Sequence, residues 1–250
     1  MDLNGYQAVL AAEATALAAA ADEAGLDAAV PTCPGWMVND LVLHIGEVHR
    51  WATAAVASRA TKLGAVPGDS RGPLPDRVDT IHWFRRGAVA LSDTLAAADP
   101  SVEYAAFLTD PPTPRLLFWA RRQALETSMH RVDAESALGR CTAIGTDIAL
   151  DGIDEFLTGF LPRSRTPLHA GAPHCLLVAP DYSEQRWTVS ISDDLPVTVR
   201  RATDADCTVS GSASDIYLAL WNRGSLGALK VVGDSSVIDL LRDNVHIRWG

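Results

Sequence analysis

The sequence changes character once, at the Pro- and Arg-rich stretch from Pro162 to Pro167, and this change most limits the folds open to it. Before it, alanine and leucine, both strong helix formers, dominate in runs punctuated by Gly and Pro. After it, the runs are short and rich in Val, Leu, Ile and Thr, with turns such as PDYSEQ and SDD between them. Helices followed by strands predict an α+β chain of two domains, a four-helix bundle over 1–162 and a small α+β domain over 168–250. A length of 250 residues accommodates two modest domains.

Five helices are predicted in the first part. They cover about 5–25, with Gly25 as a stop, then about 37–60, 79–98, 115–138 closed by Gly139, and a shorter 147–160. PTCPGW at 31–36 reads as a turn, and 61–78 as a Gly/Pro-rich loop. In the second part, Cys175–Ala179, Arg186–Ile191, Val197–Arg201 and Cys207–Ser210 read as antiparallel strands. A helix follows over Ser212–Trp221, with Ser212 or Ser214 as its N-cap, then a strand at Leu229–Val232 and a last helix at Ser235–Asp243.

Charge and cysteine usage narrow the function. A net charge of −10 argues against nucleic acid and anionic lipid as partners, because neutralising phosphates needs a basic face. Cys33, Cys141, Cys175 and Cys207 form no CxxC pair, which excludes a zinc ribbon or a thioredoxin-type motif. The first residues, MDLNGYQ, carry no positive leader, and Glu13 and Asp22 interrupt the alanine-rich run behind them. The expectation is a reduced, cytoplasmic protein with no membrane span. Lys62 and Lys230 are the only lysines, so nearly all cationic chemistry falls to arginine, the better grip on a carboxylate.

One constellation could carry chemistry. In the fourth predicted helix Glu126 and His130 lie about 40° apart, one turn above the other. That spacing suits two ligands of one metal, and Asp133, three residues on, could orient the imidazole. A third ligand must come from another helix. His44, among Leu41, Ile45 and Val48 on the apolar face of the second helix, is the best placed. His49 sits about 140° away around the same helix and cannot share the site. Each piece has a plainer reading: an ExxxH pair also occurs as an exposed i,i+4 pair, and a histidine on an apolar face is commonly a core residue.

The stretch PTCPGWMVNDLVLHIGEVHRW, followed by ALETSMHRVDAESALG, resembles the mycothiol-dependent maleylpyruvate isomerase family, within the DinB-like metal-binding four-helix bundles. The resemblance rests on Pro34, Gly35, Trp36, Val38, Asp40, Leu41 and His44, and on Glu126, His130, Arg131 and Asp133. IYLALWNRGSL followed by VVGD is similar to that family's second domain, of sterol-carrier-like α+β fold. Met37 departs from the pattern: such sequences carry Thr there, and without it Asp40 lacks the hydroxyl partner of a capping box.

The resemblance implies a divalent metal, usually zinc, on His44, Glu126 and His130. Three protein ligands and one open position is the pattern of a catalytic ion. It further implies mycothiol as a thiol cosubstrate and a small-molecule electrophile. The thiolate adds to the cis double bond of maleylpyruvate, the resulting single bond rotates, and expulsion of the thiol gives fumarylpyruvate. Arg223 in WNRG is implied as the catalytic arginine; its other reading is a cation answering a helix C-terminus. Arg50, Arg122 and Arg131 are weaker candidates, expected to face solvent. Trp36, Trp51, Trp83 and Trp119 are expected in packing roles. Competing functions are S-transfer of the thiol to the electrophile, metal-dependent hydrolysis without a thiol, and binding of an apolar ligand by the second domain. A monomer or small homo-oligomer fits the chain.

Overall fold

The computed structural model describes residues 1–108, 111–163, 168 and 171–246. Its contacts divide the chain into two compact units, one of residues 1–107 with 111–142 and one of 108–110 with 143–250.

The first unit is built from α1 (Leu3–Ala24), α2 (Val38–Ala57), α3 (Thr80–Ala97) and α4 (Arg115–Ser136). α1 packs on α4 and α3, and α2 packs on α3 and α4. One core cluster joins Leu17 and Ala21 of α1, Leu41 and Ile45 of α2, and Trp83 and Phe84 of α3. The tryptophans pack as expected: Trp119 is fully buried, with Trp51 and Phe118 edge-on to it. Gly139 ends the α4 segment with a φ of 66°, a left-handed turn that a side chain would disfavour.

α4 is the exception to amphipathic packing. Every residue from Phe118 to Glu135 is buried, and these include Arg122, Glu126, His130, Arg131 and Asp133. A helix buried on all sides with that composition must satisfy its charges internally.

The second unit opens with α5 (Thr146–Glu155), which runs on into a π-helical turn at Phe156–Phe160. The strands are β1 (His174–Pro180), β2 (Trp187–Ile191), β3 (Val197–Val199), β4 (Cys207–Gly211) and β5 (Lys230–Gly233), in the order β3-β2-β1-β4-β5. α6 (Ala213–Leu220) begins at Ser212, whose side chain accepts the Asp215 N–H, and α7 (Ser236–Asn244) packs on β1 and β4. The register places Leu176 opposite Val189 and Cys207, and Val178 opposite Trp187 and Val209, so one face of the three central strands is continuously apolar and buried.

Two expectations change here. The strands are not all antiparallel: β1 and β4 pair in parallel, at Leu176–Cys207 through Pro180–Gly211, while the other pairs are antiparallel. The division of the chain also falls near 142 instead of 162, because α5 is tied to the sheet unit. Asp154 on α5 accepts from Trp187 Nε1 at 2.9 Å and from Arg200 Nε at 2.6 Å. Gly152 lets the Tyr217 ring of α6 approach so closely that a Cβ there would stand 2.4 Å from it. Of the expected linker at 162–167, residues 164–167 lie outside the described residues, as does His169. None of the described helices is long and apolar enough to cross a membrane.

Candidate metal centre

His44 reaches its position because the turn before α2 is pinned from both sides. Val30 N–H donates to Trp36 O at 2.9 Å, and Val38 N–H donates to Ala28 O at 2.8 Å. The start of α2 forms without a hydroxyl at Met37: the Asp40 carboxylate accepts the Met37 N–H at 2.9 Å and supplies that half of the cap. The Trp36 ring then stands edge-on to His44, with centroids 5.1 Å apart.

α4 contributes the rest. Arg122, Glu126, His130 and Asp133 follow one another at intervals of four, four and three, and share one stripe of the helix. His44 Nε2 lies 3.8 Å from Glu126 Oε1, and His130 Nε2 lies 3.3 Å from the same oxygen. One ligand atom from each of the three residues falls within 4.8 Å of the others, the only such cluster of His, Cys, Asp and Glu found among the described residues. The outer atoms are already engaged. Arg122 Nη2 donates to Glu126 Oε2 at 2.5 Å, and Asp133 Oδ2 lies 2.9 Å from His130 Nδ1. Two imidazole nitrogens and a carboxylate oxygen are therefore left pointing at one place, and that donor set suits a divalent cation.

The electrostatics agree with the geometry. Burial alone would raise the Glu126 carboxyl, but Arg122 and the neighbouring imidazoles of His130 and His44 hold it well below the usual carboxylate range. Burial alone would lower His130. Asp133 and Glu126 overcome it and raise the imidazole to about 9, so in the metal-free protein His130 carries a proton that a metal must displace.

Arg122 and Arg131 do not face solvent as expected, since both are almost fully buried. Arg131 Nε donates to Glu13 Oε2 at 2.7 Å, and its Nη1 donates to Glu135 Oε2 at 2.9 Å and to Thr142 O at 2.6 Å. It is a structural clamp joining α1, α4 and the segment beyond α4. Arg50 is half-buried on α2 against α3. Arg223 belongs to the second unit, in the turn after α6, where its Nη1 donates to Trp221 O at 2.9 Å.

His49 stays out of the cluster, as its phase on α2 requires, and it is fully buried. Its chemistry can be fixed. Thr127 Oγ1 donates its single proton to Gln123 O at 2.7 Å, so His49 Nε2, 2.9 Å away, must carry a hydrogen and donate to Thr127. Nδ1 is then a buried lone pair without a hydrogen-bond partner among the described residues. Burial, with Arg50 and His130 adding repulsion, pulls the imidazole down to about 3 against the pull of Glu126. The unfolded chain therefore takes up this proton first. Stability contributed here is full above about 6.5 and falls as the pH drops toward 3. In His49→Phe, which keeps a ring against Phe84 at the 5.4 Å stack, the slope of stability against pH between 4 and 6 should fall by about one proton per chain. Urea titrations across that range measure it; equal slopes would mean that His49 is charged in the folded state.

Comparison with known proteins bears on the whole chain. The crystal structure of a mycothiol-dependent maleylpyruvate isomerase superposes with a TM-score of 0.62 at 14% identity, covering 92% of this chain and 93% of that one. A histidine-to-alanine mutant of that isomerase gives 0.61 at 13% identity with the same coverage. At such identities the likeness shows the fold. A search of curated proteins gives no significant match. The sequence model of the mycothiol maleylpyruvate isomerase N-terminal domain matches residues 8–135, and that of the corresponding C-terminal (MDMPI) domain matches residues 147–240. With the helical unit and the sheet-bearing unit both matched in order, the chain belongs to the mycothiol maleylpyruvate isomerase family.

Proposed function

We propose that the chain is a metal-dependent enzyme that uses mycothiol to isomerise the cis double bond of maleylpyruvate or a close electrophilic analogue. The observation that carries this reading is the convergence of His44 Nε2, Glu126 Oε1 and His130 Nε2 within 4.8 Å in a chain of this family. A divalent ion at these atoms, zinc being the best match to two imidazoles and a carboxylate, supplies the means to hold a thiol as thiolate at neutral pH.

The chain's own residues prepare that role. Asp133 occupies His130 Nδ1 and so directs Nε2 to the cluster. Arg122 holds one oxygen of Glu126, which keeps the carboxylate ionised and leaves the other oxygen available. His49 stays neutral behind them and adds no competing cation. For Arg223 the family resemblance alone supports a catalytic role. Asp133→Asn should weaken metal binding by roughly 10–100-fold, read by competition with a chelator. A loss under about twofold would leave Asp133 without this function.

The test mixes the metal-loaded full chain with mycothiol and maleylpyruvate, and follows both isomers and free thiol. Isomerisation with thiol constant is the expected result. Thiol consumed in step with substrate would replace the reading by S-transfer. Turnover without thiol, turnover unaffected by metal removal, or no turnover at all would overturn it.

A further inference from the structure

α2 presents a second cationic feature on another side. Arg50 lies six residues beyond His44, about 240° around the helix, so it faces away from the ligand cluster and toward α3. Its guanidinium carbon sits 3.5 Å above the centre of the Trp83 ring. Nη1 donates to Gly46 O at 3.0 Å and Nη2 donates to Trp83 O at 2.9 Å. Gly87 makes this placement possible, because a Cβ at that position would stand 2.5 Å from Arg50 Nη1. The group is thus fixed in place with most of its N–H donors still unused among the described residues.

Arg86 is the neighbour of Gly87 on α3. It is exposed, and it has no hydrogen bond or ion pair with any described residue. Its charge adds to burial in pulling Arg50 down to about 10, and no carboxylate contributes in the opposite sense. Two arginines without a counter-charge among the described residues are conspicuous in a chain of net charge −10. Both line one groove of about 370 Å³, whose remaining wall includes Thr53, Ala54 and Ser70.

We propose that this groove is a binding site for an oxyanion, the carboxylate or phosphate group of a small molecule, held between Arg50 and Arg86 and separate from the metal cluster. An oxyanion there removes the repulsion between the guanidinium groups and takes up donors that a rigid fork already presents. The Ser70 hydroxyl, which has no side-chain partner among the described residues, supplies a further donor. The volume lies at the small end of ligand sites, which fits a small acid or phosphate ester. This inference does not depend on the reaction proposed above.

The experiment is isothermal titration of the full chain with inorganic phosphate and, separately, with malonate, at constant ionic strength set with chloride. One saturable site per chain is expected for at least one of them. Affinity should fall at least about tenfold in Arg86→Gln, a change at an exposed side chain that leaves packing intact. Tighter phosphate binding assigns the site to a phosphorylated ligand, and tighter malonate binding to a carboxylate. Absence of saturable binding by either anion would overturn the proposal. So would equal affinity in Arg86→Gln, since the anion would then be held elsewhere, as at the metal cluster.

Discussion

His130→Ala protein is expected to retain almost none of the divalent metal that the natural chain takes up. The argument is one of ligand number. The natural chain offers His44, Glu126 and His130 within 4.8 Å of one another, and the variant offers only two of them. Removing an outer partner of a ligand typically weakens a site by roughly 10–100-fold, and removing the ligand itself exceeds that. Metal per chain, measured on untagged protein after reconstitution and dialysis, should drop from about one ion to under about a tenth. Circular dichroism establishes that the variant folds, and Glu126→Gln, which keeps the side-chain shape, provides an independent check. A variant that holds its full complement of metal would remove His130 from the ligand set.

The second large effect concerns stability. Arg131 carries the charge that balances Glu13 and Glu135, whose side chains are only 16% and 11% exposed. Burial works against the guanidinium, but the two carboxylates more than compensate and raise its pKa. In Arg131→Met both carboxylates lose that partner in a poorly solvated place, and breaking a buried pair in this way costs about 3–5 kcal/mol. The midpoint of urea unfolding should fall accordingly. Neutralising the stranded acids with Glu13→Gln and Glu135→Gln in the same protein should restore a good part of the loss. Arg131→Met at natural stability would show that the clamp is solvated.

The sequence made the local relations legible. Glu126, His130 and Asp133 could be placed on one stripe because helical phase depends only on spacing. His44 could be joined to them because a histidine amid Leu41, Ile45 and Val48 faces the bundle interior. What stayed hidden was set by distant partners. Arg122 and Arg131 are each flanked by acids at i+4, a pattern that also marks an exposed helix face. Only the burial of α4 on all sides tells the readings apart. The parallel pairing of β1 with β4 joins segments some thirty residues apart, and strand direction leaves no mark on an apolar run of five residues. α5 looked like a fifth bundle helix because its own periodicity is sound; its allegiance lies in Asp154 and Gly152, which meet Trp187, Arg200 and Tyr217 far along the chain.

The order β3-β2-β1-β4-β5 puts the two shortest strands on the outside. β3 has three residues and β5 has four, and β5 carries Lys230 and ends at Gly233. A neighbouring molecule that tried to extend the sheet would find about 10 Å of open backbone on β3, and on β5 a charged residue at the start of an equally meagre ledge. The three longer strands that could template aggregation, β1, β2 and β4, are all interior. A concentrated solution of this protein should therefore resist the edge-to-edge growth to which sheets with long outer strands are prone.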